Sequence, residues 1–258
     1  MFEEIKEINE AAGKILLSFF QKKQIVTQKA DGSPVTQADK LTDEFLKKEL
    51  FSLRQIPVVS EESYDNSATP FFGKTYWLVD PLDGTKEFIN HIPEFCINIA
   101  LTQEGQVIFG SIYNPVTKDL FMAARNKGLV VWRNKEASPL QIRESLTPDY
   151  PIIARSRYHL EAGIMTFAKD NSLKDFHVSG AALKFCAIAE GVAHIYPRFV
   201  HLKQWDVAAG KLIVEESGGI MIDLSTKQSI IFSSSEIRVP SFICCNKNID
   251  FNKLILRS

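Results

Sequence analysis

The N-terminal part of the chain places apolar side chains at helical spacing. In residues 3–21 these positions form one stripe, at Ile5, Ile8, Ala12, Ile15, Leu16 and Phe19. Because only one face of a helix would then be apolar, the pattern predicts an amphipathic helix that packs on a core. A second helix is predicted after Thr36, on Leu41, Phe45, Leu46 and Leu50. Thr36 and Asp39 have the spacing of a capping box, which would start that helix.

After the second helix the apolar residues follow one another or alternate, as they do in strands. Short runs lie at 56–60, 76–79, 95–101, 106–113, 119–123 and 129–132. The brief polar connections between the later runs predict antiparallel hairpins. The polar stretch 64–74 is predicted to be a surface connection. The first half is therefore predicted to be an α+β lobe, with helices packed on a largely antiparallel sheet.

The second half alternates between strands and helices. It follows a polar stretch at 134–150, whose two prolines make it the best boundary between lobes. Strands are predicted near 152–154, 175–178 and 193–196, helices near 160–169, 181–190 and 206–217, and two more strands beyond them. This alternation predicts βαβ units and a partly parallel sheet. We therefore expect an N-terminal lobe at 1–145 and a C-terminal α/β lobe at 146–258.

Composition narrows the classes of partner. The chain has 258 residues, 45% of them hydrophobic, which is enough for a large core. Thirty basic and 31 acidic residues give a net charge of −1, so no basic field predicts nucleic-acid binding. No apolar run is long enough to predict an integral membrane segment, and the first residues do not resemble a signal peptide. The four cysteines have no Cys-x-x-Cys spacing, which favours reduced thiols and a cytoplasmic setting.

Candidate chemistry is concentrated where the apolar run at 76–79 ends in Asp80 and Asp83. Pro81 is expected to end the strand ladder, and Gly84 permits a tight turn. Two carboxylates at the end of a strand, beside the Leu82 carbonyl, are hard oxygen ligands of the kind that Mg²⁺ takes. The amides that open the following helix could bind a phosphate. The alternative is that both aspartates are ordinary turn and N-cap residues.

The string Asp80-Pro81-Leu82-Asp83-Gly84-Thr85-Lys86-Glu87-Phe88 resembles the metal-binding signature of the inositol monophosphatase superfamily of Mg²⁺-dependent, lithium-sensitive phosphatases. A second signature of that family is resembled by Trp205-Asp206-Val207-Ala208-Ala209-Gly210, followed by Glu216-Ser217-Gly218-Gly219. The two occur in the family's order, and the resemblance extends over roughly residues 10–245. It implies the layered αβαβα fold of sugar phosphatases, with an antiparallel N-terminal sheet and a mixed C-terminal sheet.

The resemblance implies a metal site and a water-activating pair. Two or three Mg²⁺ ions would be held by Glu61, Asp80, the Leu82 carbonyl, Asp83 and Asp206. Asp39 would pair with Thr85 to position the attacking water, with Glu61 on the same side. These carboxylates could not gather without cations, because mutual repulsion would raise their pKa values. Simpler interpretations remain open: Asp39 as a capping residue, Glu61 as a solvated strand end, and Asp206 as an acidic residue favoured at a helix N-terminus.

The stretch Leu183-Lys184-Phe185-Cys186 and the stretch Tyr196-Pro197-Arg198-Phe199 resemble the CysQ branch, the 3'(2'),5'-bisphosphate nucleotidases. By that resemblance Lys184 and Arg198 would bind the second phosphate of a nucleotide, and the alternative is that both are surface cations. The substrate contacts implied are Glu61, Leu82, Asp83, Gly84, Thr85, Gly180, Lys184, Arg198 and Asp206. The chain departs from the branch at Ala181 and Ala182, where serines are usual and where the pattern is closer to that of inositol phosphatases.

The expected function is Mg²⁺-dependent hydrolysis of the 3'-phosphate of adenosine 3',5'-bisphosphate, giving AMP and phosphate. The first alternative is an inositol or sugar monophosphatase of the same superfamily. The second is a non-catalytic regulator that binds a phosphometabolite. The expected partner is a small nucleotide bisphosphate rather than nucleic acid, and the expected oligomer is a monomer or homodimer. Location in the cytoplasm is expected, or by family resemblance on the inner face of the cell membrane.

Overall fold

Our computed structural model describes residues 1–22, 26–28, 32, 34–64, 74–133, 136–140, 150–158, 162–232 and 236–256. The helices of this part are α1 (Phe2–Phe19), α2 (Gln37–Leu53), α3 (Thr85–Ile89), α4 (Ala162–Asp170), α5 (Leu183–Glu190) and α6 (Gln204–Glu216). Short 3₁₀ turns occupy Glu61–Ser63 and Phe251–Lys253. The two predicted N-terminal helices are confirmed, and Thr36 and Asp39 form the predicted capping box.

The strands follow one another closely in the first half and alternate with helices in the second. They are β1 (Thr27–Gln28), β2 (Pro34–Val35), β3 (Val58–Ser60), β4 (Thr75–Asp83), β5 (Cys96–Gln103), β6 (Gln106–Asn114), β7 (Asp119–Ala124), β8 (Gly128–Arg133), β9 (Glu136–Leu140), β10 (Ile152–Arg155), β11 (Asp175–Val178), β12 (Ile195–Arg198), β13 (Leu202–Lys203), β14 (Ile220–Asp223), β15 (Arg238–Val239) and β16 (Phe242–Cys245). The predicted strands are present, within a few residues of their expected ends.

Within the described residues, β3 to β9 form a seven-stranded sheet in chain order. β3 runs parallel to β4, and the other neighbours are antiparallel, which confirms the predicted hairpins. Residues 76–79 of β4 are all apolar because both faces of the strand are covered there. Trp77 and Val79 face one core cluster, while Tyr76 and Leu78 face another.

Two details of this sheet differ from the sequence prediction. Pro81 does not end the ladder, because β4 continues to Asp83 and instead shifts register on β5 between Asp80 and Asp83. A bulge of this kind accommodates a residue that lacks an N–H donor. The polar stretch after β8 was expected to be a connection, but Glu136–Leu140 pairs with β8 as a further strand. Its polar residues are tolerated because 136–139 are exposed at the edge of the sheet.

The second sheet has the order β11-β10-β12-β16-β14 in the described part of the chain. β10 runs parallel to both β11 and β12, whereas β16 is antiparallel to β12 and β14. This mixed sheet confirms the partly parallel sheet that the alternating pattern predicts.

The elements stack in five layers, and three core clusters join them. The first cluster lies between α1, α2 and the large sheet. The second fills the space between the two sheets, where α5 and α6 lie. The third joins the small sheet to α4 and to the C-terminal residues. The predicted αβαβα order is thus confirmed. The boundary expected between residues 145 and 146 falls outside the described residues and stays a prediction.

The contact between α6 and the large sheet is unusually close. A Cβ atom built on Gly110 of β6 would lie 2.9 Å from the Ala209 carbonyl oxygen of α6. A Cβ atom on Gly210 would lie 2.2 Å from the Phe185 ring of α5. The missing side chains therefore set how near α6, which carries Asp206 in its first turn, comes to β6 and to α5.

Candidate active site

A cleft of about 410 Å³ lies between the two halves of the chain. Strand ends and helix starts converge on it: β3 is followed by Glu61, β4 ends in Asp80 to Asp83, and α6 begins beside Asp206. The sequence-predicted site residues that line the cleft are Glu61, Asp80, Leu82, Asp83, Gly84, Thr85, Gly180, Lys184, Arg198 and Asp206. Asp39 does not line it but lies directly behind Thr85.

Three carboxylates from distant parts of the chain meet in this cleft. One oxygen each of Glu61, Asp80 and Asp206 lies within 4.8 Å of the others. Asp80 is held by the Leu82 N–H, which donates to its Oδ1 at 3.0 Å. Asp206 is held by the Lys203 N–H, which donates to its Oδ2 at 2.9 Å. Burial raises the pKa of Asp206 well above its usual value, and the charges of nearby carboxylates raise that pKa further.

Asp83 lies beside this cluster with one oxygen already bound. Its Oδ2 accepts from the Ala182 N–H at 2.6 Å and from the Asn98 side-chain amide at 3.0 Å. Burial raises the pKa of Asp83, although Lys184 and these two donors oppose the shift. The β4 bulge is what brings Asp80 and Asp83 to the same cleft, because the extra residue changes the alternation of the strand.

Thr85 and Asp39 are placed together, as the resemblance implied. Thr85 Oγ1 lies 3.3 Å from Asp39 Oδ1 and 3.2 Å from the Leu82 carbonyl oxygen. The other carboxylate oxygen of Asp39 accepts from the Thr36 N–H and hydroxyl, at 2.8 and 2.6 Å. Asp39 therefore caps α2 and approaches Thr85 at the same time, and the two interpretations of this residue are compatible.

Lys184 and Arg198 are buried in the wall of the cleft, each about 4% exposed. The alternative that they are surface cations is therefore wrong. Lys184 Nζ donates to the Ala181 carbonyl at 2.5 Å and lies 3.4 Å from that of Ser179. Burial lowers the pKa of Lys184, while Asp83 opposes the shift. Nη1 of Arg198 lies 3.4 Å from the Ser156 hydroxyl.

The glycines of the predicted site are required by close packing. Gly84 has φ = +90°, and its position lies against the backbone of Glu94 and Phe95. A Cβ on Gly180 would lie 2.5 Å from the Glu94 carbonyl oxygen. Ala181 adopts φ = +52°, a conformation unusual for a residue with a side chain.

Three polar residues at the site were missed by the sequence prediction. Asn98 interrupts the apolar β5 and is 1% exposed, which is a local signal that it has a buried partner. Glu87 is also buried, and burial raises its pKa. Glu94 binds Arg157 and the Gly180 N–H across the cleft, and no local pattern indicates such a contact.

The donor set of the cleft fits a hard divalent cation. Three carboxylates whose oxygens approach within 4.8 Å, next to a backbone carbonyl, match the oxygen coordination that Mg²⁺ takes. Burial raises the pKa values of Asp83 and Asp206, and the charges of neighbouring carboxylates raise them further; a bound cation would favour the charged form of both groups. Two buried basic side chains in the same cleft provide positive charge for an anionic ligand.

Comparison with known proteins gives a consistent family. A model of the inositol monophosphatase family matches residues 2–254. The 3'(2'),5'-bisphosphate nucleotidase CysQ of Escherichia coli strain K12 is 34% identical over 232 residues, which cover 88% of this chain and 92% of that protein. The CysQ of Aggregatibacter actinomycetemcomitans is 30% identical over 247 residues, which cover 94% of this chain and 91% of that protein.

Solved structures agree with the fold. CysQ from Bacteroides thetaiotaomicron superimposes with a TM-score of 0.79 at 29% identity, covering 95% of this chain and 97% of its own. An inositol monophosphatase from Thermotoga maritima superimposes with a TM-score of 0.77 over 96% of this chain and 92% of its own. The latter is 21% identical, so it supports the fold alone.

Proposed function

The chain belongs to the inositol monophosphatase family, and from that premise we propose that it is a Mg²⁺-dependent 3'(2'),5'-bisphosphate nucleotidase. Its family membership identifies it as a phosphatase of this superfamily. We propose that it converts adenosine 3',5'-bisphosphate to AMP and phosphate. The relatives that carry the nucleotidase name match most of this chain, which supports this substrate class over others in the superfamily.

One observation carries the proposal: the cleft that gathers Glu61, Asp80 and Asp206 also buries two cations in its wall. A phosphate monoester of a neutral polyol needs charge compensation only where the bond is broken. A bisphosphate carries a second anionic group, which Lys184 and Arg198 would neutralise. Arg198 can bind a phosphate through two parallel hydrogen bonds, which also orients it.

We propose that Glu61, Asp80, Asp83, Asp206 and the Leu82 carbonyl hold the Mg²⁺ ions, two or three in number. Bound Mg²⁺ lowers the pKa of a coordinated water and neutralises the charge of the phosphate in the transition state. The Thr85 hydroxyl would donate a hydrogen bond to Asp39 Oδ1, which lies 3.3 Å away. Thr85 Oγ1 is then free to accept a hydrogen bond from the attacking water and to orient it.

The N-terminal end of α3 contributes to phosphate binding. Gly84 is left-handed and the helix starts at Thr85, so the amides of the first turn lack partners within the helix. We propose that Gly84 and Thr85 contact the phosphate that is hydrolysed. Gly180 and Asp206 would contact the leaving side of the substrate.

The absence of side-chain hydroxyls at Ala181 and Ala182 favours the second candidate, an inositol or sugar monophosphatase. Ala181 lines the cleft, and it offers no hydroxyl to a nucleoside. One observation weakens the argument for this candidate. Ala182 contacts the site through its backbone N–H, which donates to Asp83, so this contact does not depend on the side chain at position 182.

The deciding experiment measures phosphate release from adenosine 3',5'-bisphosphate, adenosine 3'-monophosphate and inositol 1-phosphate, each with and without Mg²⁺ and lithium. We expect the bisphosphate to have the highest kcat/KM, and release to require Mg²⁺. Faster hydrolysis of inositol 1-phosphate would reject the nucleotidase in favour of the second candidate. Tight binding of the bisphosphate with no release under any divalent cation would indicate a non-catalytic regulator.

Location and assembly stay predictions. None of the helices among the described residues combines the length and apolar character needed to cross a bilayer. We propose a cytoplasmic protein that acts on a small nucleotide as a monomer or homodimer. The comparisons do not support the peripheral membrane position that was the alternative.

A further inference from the structure

Glu94 lies in the connection between α3 and β5, and its carboxylate reaches the other half of the chain. Arg157, just after β10, donates to it through two nitrogens: Nε lies 3.1 Å from Oε2, and Nη2 lies 2.5 Å from Oε1. This is the paired geometry in which an arginine fixes the orientation of a carboxylate. Both side chains are partly exposed, at 26% for Glu94 and 35% for Arg157, so the ion pair alone would contribute little to stability.

The same carboxylate also holds the backbone of the cleft wall. The Gly180 N–H donates to Glu94 Oε2 at 2.8 Å. Arg157 keeps the carboxylate in place while it accepts this bond. The main chain of Glu94 also packs directly on Gly180, since a Cβ on Gly180 would lie 2.5 Å from the Glu94 carbonyl oxygen. Glu94 therefore fixes the position of Gly180 both by a hydrogen bond and by direct packing.

The loop from Ser179 to Ala182 connects Glu94 to two site residues, Asp83 and Lys184. At its far end, the Ala182 N–H donates to Asp83 Oδ2 at 2.6 Å. Two of its carbonyls, those of Ser179 and Ala181, receive the buried Lys184 ammonium. Ala181 is left-handed, at φ = +52°, a conformation that costs free energy for a residue with a side chain and that the contacts around the loop must offset.

Asp83 and Lys184 differ in how much they depend on the loop. Asp83 keeps a second donor, the Asn98 side-chain amide at 3.0 Å, which belongs to the large sheet. The Lys184 ammonium donates to two carbonyls of the loop, and it also lies 5.6 Å from the centre of the Tyr196 ring. Displacement of the loop would therefore move the ammonium more than it moves the carboxylate.

We propose that Glu94 is a positioning residue for the second-phosphate site: through Gly180 it sets the loop whose carbonyls aim Lys184 into the cleft. The inference rests on the proposed function, since it assigns to Lys184 the phosphate that is not hydrolysed. It adds a specificity determinant outside the two family signatures, and one that does not line the cleft.

The test compares Glu94→Ala, Glu94→Gln and Arg157→Ala with the wild type. For Glu94→Ala, we expect KM for adenosine 3',5'-bisphosphate to rise about tenfold to a hundredfold, the loss typical of charged hydrogen bonds, with kcat lowered less than about threefold. KM for adenosine 3'-monophosphate, which lacks the second phosphate, should stay within about twofold of wild type. Arg157→Ala should give a smaller rise, because Glu94 can still accept from Gly180. Glu94→Gln keeps the acceptor and should largely restore wild-type KM.

A matched control removes another ion pair between the two halves. Arg133 of β8 pairs with Glu190 of α5, and neither residue lines the cleft. Glu190→Gln should leave both KM values unchanged. An equal rise of KM for both substrates in Glu94→Ala, or no rise, would overturn the proposal, as would the same selective rise in Glu190→Gln.

Amide hydrogen exchange provides a readout that does not need turnover. In Glu94→Ala, peptides covering 179–184 should exchange faster than in the wild type, while those covering α1 should not. Unchanged exchange of that segment would also overturn the proposal. If the wild type released no phosphate from either nucleotide, the proposed function would fail while the exchange comparison would still decide whether Glu94 orders the loop.

Discussion

At the scale of single residues, the chemistry depends on carboxylates that would repel one another without a cation. Replacing Asp80 by Asn keeps an oxygen that can accept from the Leu82 N–H, but it removes the charge. We expect Mg²⁺-dependent phosphate release to fall at least about a hundredfold, since even residues that only support metal ligands often matter that much. A colorimetric phosphate assay over a Mg²⁺ titration checks this.

The control for this variant is Asp43→Asn. Asp43 is a buried aspartate of α2 that does not line the cleft. It should leave the rate near that of the wild type, and both variants should retain the circular dichroism spectrum of a folded protein. Wild-type activity in Asp80→Asn would remove this residue from the metal site.

A second prediction concerns Lys184, whose ammonium is buried beside Arg198. Lys184→Met keeps most of the side-chain volume and removes the charge. We expect KM for adenosine 3',5'-bisphosphate to rise at least about tenfold, as for the loss of a charged hydrogen bond, with little change for adenosine 3'-monophosphate. Steady-state kinetics with the two substrates provide the measurement, and equal losses on both would show that Lys184 does not read the second phosphate.

The residues that sequence could assign are those inside contiguous strings. Asp80 to Thr85 are consecutive residues at the junction of β4 and α3, so their proximity follows from their order in the chain. Glu94 meets Arg157 and Gly180 only because two distant segments pack together, and such pairing leaves no local pattern. The resemblance assigned Lys184 to the substrate pocket, but the extent of its burial could not be predicted, since the residues that cover it come from other elements.

At the scale of elements, β4 shows both the success and the limit of pattern reading. Its apolar run predicted a buried strand, because a strand between two cores has no polar face. Its end was misplaced, because a proline in a strand usually stops pairing, whereas here a bulge absorbs it. β9 was missed because exposure at a sheet edge lets polar residues pair, so no alternation marks it.

The side chain of Leu82 is expected to matter for stability, although only its carbonyl is proposed to hold a metal ion. The side chain is 2% exposed and belongs to the core between the helices and the large sheet. We expect Leu82→Ala to lower the free energy of unfolding by about 2–5 kcal/mol, the usual cost of emptying such a site. Urea titration of Leu82→Ala and Leu82→Met measures it, and Met should cost less because it keeps the volume.

At the scale of the whole molecule, the crowded carboxylates link stability to pH and to Mg²⁺. The folded pKa of Asp206 is raised above its usual value of 3.8, so its contribution to stability is fully present below that value and is lost as pH rises through the raised pKa. The ion-free protein should therefore lose the contribution of Asp206 as pH rises through that raised pKa, whereas Mg²⁺ should stabilise most above it. Thermal unfolding in EDTA and in excess Mg²⁺, at several pH values, tests the sign.

Asp206→Asn isolates this effect. The amide oxygen can still accept from the Lys203 N–H, but it adds no charge to the cluster. In EDTA at neutral pH the variant should melt at a higher temperature than the wild type, while losing much of the stabilisation by Mg²⁺. A lower melting temperature in EDTA would mean that the Asp206 charge favours the ion-free fold.

The residue type at position 110 bears on how the width of the cleft varies among related proteins. Gly110 has no Cβ atom where it meets the Ala209 carbonyl, and this absence lets α6 approach the large sheet closely. A methyl group there would lift the helix by some fraction of an ångström and carry Asp206 away from Glu61 and Asp80. Relatives that bear a larger residue at this point should have a wider gap between the carboxylates equivalent to Glu61, Asp80 and Asp206, although that residue itself lies outside the cleft.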